Sequence, residues 1–235
     1  MNILKEQTYL NTTYSEEKNP KTGYPAHLTK ELIRRTGKTE GKMLDLGCGR
    51  GEYLDTFFDN GFEVMGFDLS THMVKNHPVE YIDLEKNKLT SPHKEKYDFV
   101  FSKSVIEHMR NPMGLLNASF EALKPGGVAV IMTPSWEYTY WGPFYVDHTH
   151  VTPWTKPSLD EAMRMTGFKN VSTEYFFQLP FLWKNPYLTP FIKLFRKIPI
   201  PYQPNYNAPW GVSNWFNVLV RFSREPMLLS IAKKE

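Results

Sequence analysis

Met43-Leu44-Asp45-Leu46-Gly47-Cys48-Gly49-Arg50-Gly51-Glu52 decides how the rest of the chain is read. Its first four residues form a short apolar run of strand type, and three glycines follow at alternate positions. Glycine removes side chains where backbone must approach a ligand closely, and it accepts the positive φ of tight turns. The helix expected next, over 51–60 with Gly61 as its left-handed stop, presents free backbone N–H groups at its start. Strand, glycine-rich turn and helix together open a βαβ unit. A dinucleotide-binding loop shares this texture, but it wants its third glycine one residue later, where Glu52 stands. A negative side chain at that place disfavours a pyrophosphate.

Outward from this turn the same alternation continues. Further short apolar runs at 63–67, 79–82, 97–102 and 128–133 read as strands, as do 171–177 and 227–233. Helical patterns stand at 27–35, stopped by Gly37, and at 157–165, capped by Gly167. Asn111-Pro112 has the form of an N-cap followed by proline at the first helical position, opening a helix that Lys124-Pro125-Gly126-Gly127 ends after Leu123. Such alternation predicts a mainly parallel sheet, whose ligands sit at the carboxyl ends of its strands. Two more acids fall there. Asp68 closes the second strand, where a carboxylate can accept from both hydroxyls of a ribose, and Asp83 closes the third, where it can accept from the exocyclic amine of an adenine.

Composition narrows the class. The chain has 235 residues, of which 41 % are apolar, enough for a real core. A net charge of only +3 argues against a nucleic-acid binder held by phosphate contacts. Cys48 is the single cysteine, so no internal disulfide is expected. The longest apolar run, 128–132, is far short of the ~18 residues of a membrane span. Residues 1–17 carry no hydrophobic signal core, and these features together favour a cytoplasmic protein.

The glycine-rich stretch, Tyr97-Asp98-Phe99-Val100-Phe101-Ser102 followed by Val105-Ile106-Glu107-His108, and Leu123-Lys124-Pro125-Gly126-Gly127 resemble three motifs of the class I S-adenosylmethionine-dependent methyltransferases, in the family's order. The nearest likeness is to the small-molecule branch of quinone, sugar and natural-product enzymes. The resemblance implies an α/β, Rossmann-like, doubly wound seven-stranded sheet, mainly parallel with one antiparallel strand. It divides the chain into an N-terminal helical cap (1–42) and a methyltransferase domain (43–235) carrying a helical and loop insertion on the substrate side at about 178–225. It also implies S-adenosylmethionine as cofactor. Gly47, Cys48 and Gly49 would line its methionine portion, with Asp45 orienting the loop. Asp68 would hold the ribose and Leu69 face the adenine, whose edge Asp83 and Leu84 would bind. Ser102 would offer its backbone carbonyl to the ammonium group, with Val105 nearby. In the family a stretch placed like residues 9–24 commonly closes over the cofactor, which the sequence here leaves open.

Methyl transfer from a sulfonium is an in-line displacement, so positioning dominates and no metal is obligatory. An alcohol acceptor must also lose a proton, and a base helps. His108 and the run Asp147-His148-Thr149-His150 both follow strands on the expected face. His108 or His150 is expected to take the proton; the competing role for these side chains is to fix loops. Although acid-His-x-His has ligands for a divalent ion, no metal is expected.

From 175 to 224 the chain is aromatic and free of acid, with Lys184, Lys193, Arg196, Lys197, Arg221 and Arg224 as its charges. Residues 187–198 show helical periodicity, with Tyr187, Leu188, Phe191, Ile192, Leu194, Phe195 and Ile198 on one arc. Three readings compete: a helix packed on the domain, a lid gripping an anionic acceptor, or an interfacial helix on anionic lipid. The leading expectation is O-methylation of a small molecule, a sugar or phosphorylated precursor of surface-glycan or secondary-metabolite pathways. Nitrogen or carbon methylation, a lipid or quinone-like acceptor, and a non-catalytic cofactor-binding scaffold are the alternatives. No nucleic-acid partner is expected.

Overall fold

The computed structural model describes residues 20–86, 88–203 and 214–235. Residues 1–19 of the expected cap, and with them most of the stretch 9–24, lie outside the described residues. Helix α1 (Tyr24–Thr36) ends where Gly37 takes φ +68° and donates to the Ile33 carbonyl. Then come β1 (Gly41–Leu46), α2 (Glu52–Asp59), β2 (Phe62–Asp68), β3 (Val79–Tyr81) and β4 (Tyr97–Lys103). α3 (Met113–Ala122), β5 (Leu123–Pro134), α4 (Lys156–Met165), β6 (Lys169–Phe176) and β7 (Met227–Lys233) complete the frame. Between β6 and β7 the chain adds α5 (Pro180–Lys184), α6 (Thr189–Phe195) and α7 (Asn214–Arg224), where the insertion is expected.

The seven strands form one sheet in the order β3-β2-β1-β4-β5-β7-β6. Pairing is parallel from β3 through to β5, and β7 runs against both its neighbours. This is the doubly wound arrangement with one antiparallel strand that the family resemblance implies. The alternation of β4 shows how the layers arise. Phe99 and Phe101 pack with Leu28, Leu32, Phe57 and Phe62, whereas Val100 packs with Leu115, Leu116 and Leu159. A strand covered on both faces reads as a continuous apolar run for this reason. Because Leu28 and Leu32 are fully buried, α1 shares a core with the sheet.

Three local expectations are corrected. Asn111 is not the cap of α3: the helix begins at Met113 with Pro112 in the cap position, and the Asn111 amide donates to the Glu85 carbonyl instead. Lys124–Gly127 is no free turn but part of β5. Its register slips between the Tyr97↔Leu123 and Phe99↔Val128 pairs, absorbed where Gly126 takes φ +78°. Residues 187–198 do not form one packed helix. Pro186 starts a 3-10 turn to Leu188, and α6 runs only from Thr189 to Phe195 with Pro190 in its first turn. Leu188 and Ile192 face a small cluster of Phe177, Leu179 and Leu182. Of the remaining five, Phe195 is half-buried, and Tyr187, Phe191, Leu194 and Ile198 are 68, 67, 65 and 50 % exposed. The Arg196 guanidinium lies 4.4 Å from the Tyr138 ring centre, so a cation helps hold this segment to the domain. No helix among the described residues is long and apolar enough to cross a membrane.

Candidate active site

β1 lies between β2 and β4, so the strand order reverses there and opens a crevice at the carboxyl ends. A cavity of about 1470 Å³ occupies this place. The glycine loop forms its floor. Gly47 and Cys48 donate their backbone N–H groups to the Phe67 carbonyl, at 2.7 and 3.2 Å, which ties the loop to the end of β2. Gly47 takes φ +83°, and a Cβ there would stand 2.3 Å from a Val105 methyl. Only glycine fits, and the loop can hug both β4 and a ligand. The Cys48 side chain turns away towards Gly66, and burial, foremost, pushes its thiol up.

The strand-end residues converge as the sequence predicts. Gly47, Cys48, Gly49, Asp68, Leu69, Asp83, Leu84 and Val105 all line this one cavity. The Asp68 carboxylate accepts from Gly49 N–H at 2.8 Å and Ser70 N–H at 2.9 Å, linking the loop to the second strand-end acid. Burial raises its pKa, and those backbone donors act against the rise. Asp83 accepts from Lys86 Nζ at 2.6 Å and Glu85 N–H at 3.1 Å; despite the opposing effect of burial, these donors hold it below the ordinary carboxylate range. Asp45 lies beneath the loop and does not line the cavity; burial, then the nearby Asp68 charge, pushes its carboxyl well up, and its Oδ2 is buried with no hydrogen-bond partner. Ser102, too, does not line the cavity. It is buried in β4, paired with Ile131, and its hydroxyl donates to the Leu46 carbonyl at 2.8 Å. Lys103, Ser104 and Val105 occupy the wall at that level, because β4 continues one residue further than its apolar run suggests.

The second half of the site joins two segments distant in sequence. His108, His148 and Thr149 line the cavity, whereas Asp147 and His150 stand behind it. Asp147 Oδ1 accepts from the Thr149 N–H at 3.0 Å and from its hydroxyl at 2.6 Å. Thr149 Oγ1 in turn meets His108 Nδ1 at 2.7 Å, and His150 Nδ1 meets the Phe144 carbonyl at 2.6 Å. The imidazole rings of His108 and His150 are 4.6 Å apart. Burial, then the neighbouring His150, lowers His108 to about 4. Glu107 is wholly buried and is pushed up to about 7 by burial; its Oε2 accepts from the Thr133 hydroxyl at 2.9 Å. Sequence reasoning missed Glu107 and Thr149. Glu107 was visible only as an acid inside an otherwise apolar motif, and Thr149 as a hydroxyl two residues after Asp147.

A Rossmann-like sheet with a glycine loop and two acids at consecutive strand ends defines a crevice for an adenosyl ligand. The sequence matches the methyltransferase domain family over residues 21–173, and the chain belongs to that family. What it carries is therefore a methyltransferase domain, for which the sequence resemblance implies S-adenosylmethionine as cofactor. The site fits this group: glycine at 47 lets the loop close against Val105 with its backbone at the cavity, and the Asp68 carboxylate beside it suits a cationic ligand. Curated relatives include the ubiquinone biosynthesis O-methyltransferases of Psychrobacter cryohalolentis, 29 % identical over 50 % of this chain and 49 % of that protein, and Roseobacter denitrificans, 26 % identical over 60 and 65 %. The chain thus spans about half to two thirds of the length of these relatives. Among solved structures, phosphoethanolamine N-methyltransferase 2 of Haemonchus contortus with S-adenosyl-L-methionine superposes with a TM-score of 0.60 at 18 % identity, covering 100 % of this chain and 60 % of that one. A SAM-dependent methyltransferase of Archaeoglobus fulgidus gives 0.58 at 22 %, covering 94 and 98 %. At these identities the structural likeness speaks for the fold.

Proposed function

We propose that the chain methylates a hydroxyl oxygen on an apolar, ring-containing small molecule. The observation that carries this reading is the wall facing the strand ends: Leu179, Phe181, Trp215, Val218, Leu219 and Phe222 line the same cavity as Asp68 and His108. An apolar wall gives little to a sugar or phosphorylated acceptor, the class the sequence reading prefers. Of the four Lys and Arg residues lining the cavity, Lys86 is paired with Asp83 and Arg50 with Glu52, and Lys103 is buried with Glu107 nearby. The ubiquinone O-methyltransferases among the relatives support a ring hydroxyl.

Within this reading Asp68, Leu69, Asp83 and Leu84 hold the adenosyl part and Gly47 to Gly49 the methionine part. Asp45 lies below them. When bound, the cofactor supplies a methyl carbon already activated by its positive sulfur. His108, held by Thr149 and Asp147, presents Nε2 as an electron-pair donor where the acceptor's hydroxyl is activated. The exposed Tyr187, Phe191, Leu194 and Ile198 support a peripheral contact with a lipid surface, which suits a poorly soluble acceptor. The lone buried Cys48 is in keeping with a cytoplasmic setting.

The test is methyl transfer from isotopically labelled cofactor to a panel of acceptors, read by mass spectrometry. Label on the hydroxyl of catechols or hydroxylated quinones is expected. Label confined to sugars or phosphosugars, or carried on nitrogen or carbon, overturns the acceptor class.

A further inference from the structure

Glu107, His108 and His150 each bring one metal-ligating atom to within 4.8 Å of the other two. Their hydrogen-bond partners determine where the protons are. A carbonyl only accepts, so the His150 Nδ1 that meets the Phe144 carbonyl carries the hydrogen. Thr149 gives its hydroxyl hydrogen to the Asp147 carboxylate, so towards His108 Nδ1 it can only accept, and that nitrogen also carries the hydrogen. Both rings therefore keep Nε2 as a free lone pair. Glu107 Oε2 takes the hydrogen of Thr133, while Oε1 is buried with no hydrogen-bond partner. His150 Nε2 lies 4.0 Å from this oxygen, too far for a hydrogen bond. Two imidazoles with a lone pair each and a carboxyl oxygen with no hydrogen-bond partner thus lie close together inside the protein.

We propose that Glu107 Oε1, His108 Nε2 and His150 Nε2 bind a divalent first-row transition cation. Two imidazoles and one carboxylate form a ligand set used by catalytic zinc, which leaves a further position open. The Nδ1 bonds to Phe144 and Thr149 are the outer contacts that orient ligating imidazoles. With bonds of about 2.0–2.1 Å, tetrahedral ligand atoms stand roughly 3.4 Å apart, so side-chain shifts of about 1 Å close the site.

The inference deepens the proposed O-methylation and rests on it for its chemistry. His108 lines the cavity, so a cation on its Nε2 borders the acceptor. There it polarises the hydroxyl: the proton leaves to solvent, the oxygen lone pair forms the O–CH3 bond, and the S–CH3 bond breaks with its electrons retained by sulfur. His108 and His150 are then ligands, in place of the imidazole base and the metal-free site that sequence reasoning expects.

The full chain, stripped with a chelator and dialysed, is titrated with Zn2+ by calorimetry and with Co2+ by visible absorption, with neither cofactor nor acceptor present. One Zn2+ per chain and cobalt bands of a nitrogen–oxygen site are expected. Glu107→Gln and His150→Ala should each weaken binding at least about 100-fold while keeping the native circular dichroism; should Glu107→Gln fail to fold, His108→Asn carries the same test. No binding by the natural chain, or binding unchanged in these variants, overturns the site. Metal bound in a chain that methylates no hydroxyl keeps the site and removes the O-methylation reading. O-methylation by a chain that binds no metal does the reverse.

Discussion

Around α1 and α2, Leu28, Leu32, Phe57 and Phe99 are wholly buried, and the Phe57 ring meets Phe62 and Phe99 at 5.3 and 5.1 Å. On α6, Phe191 and Leu194 are as apolar, yet most of their surface faces outward. The first region spends its hydrophobic residues on stability, and the second keeps a row of them available. The difference lies in what each helix has to pack on. α1 and α2 lie on a seven-stranded sheet, whereas α6 touches only a small cluster around Leu182. In this molecule the part proposed to hold the cofactor is anchored by burial, and the part proposed to surround the acceptor is loosely seated.

The contrast predicts a graded set of outcomes. Phe57→Ala should cost about 3–5 kcal/mol in denaturant unfolding, since it opens a cavity in the aromatic layer. A loss below 1 kcal/mol would mean that the layer collapses freely and burial does not anchor this half. Asp68→Ala removes a carboxylate that holds the glycine loop and faces the adenosyl crevice. Calorimetry should show cofactor affinity falling on the order of 100-fold, and unchanged affinity would remove the assignment.

Asp98 ties the start of β1 to β5 through the Lys42 N–H at 2.9 Å and Lys124 Nζ at 2.9 Å. Burial works against its ionisation, but these donors prevail and hold it below its ordinary 3.8. A depressed carboxyl stabilises above its unfolded pKa and loses that contribution as pH falls through its folded value. Asp98→Asn should therefore lower stability by about 1 kcal/mol at pH 7, and the gap in melting temperature should narrow as pH drops below 3.8. A gap that persists at pH 2 would assign the effect to packing. The smallest stability effect belongs to the insertion: Leu194→Ser should move stability by less than ~0.5 kcal/mol while reducing co-sedimentation with anionic liposomes. A large loss of stability would show that this face is covered after all.

How far the sequence carried is uneven for physical reasons. The glycine loop and the acids at 45, 68 and 83 were legible because the backbone itself demands them: a positive φ, a close approach, a strand end. Ser102 lies off the cavity wall, since an apolar run marks burial and not the residue at which a strand turns outward. The face of α6 was legible as amphipathic, but periodicity says nothing of what covers it. The Thr149 bridge and the Glu107 oxygen depend on two loops meeting in space, and neither loop carries that meeting in its own pattern.

The position of β7 has a consequence for synthesis. Among the described residues β6 pairs with no strand except β7, which follows it after the whole insertion and wedges between it and β5. On the ribosome the first five strands can assemble in order, but β6 has to wait as a lone strand with an unpaired edge until the final strand emerges. That interval, lengthened by some fifty intervening residues, is when a nascent chain is most exposed to wrong pairing, and when a chaperone would find most to hold.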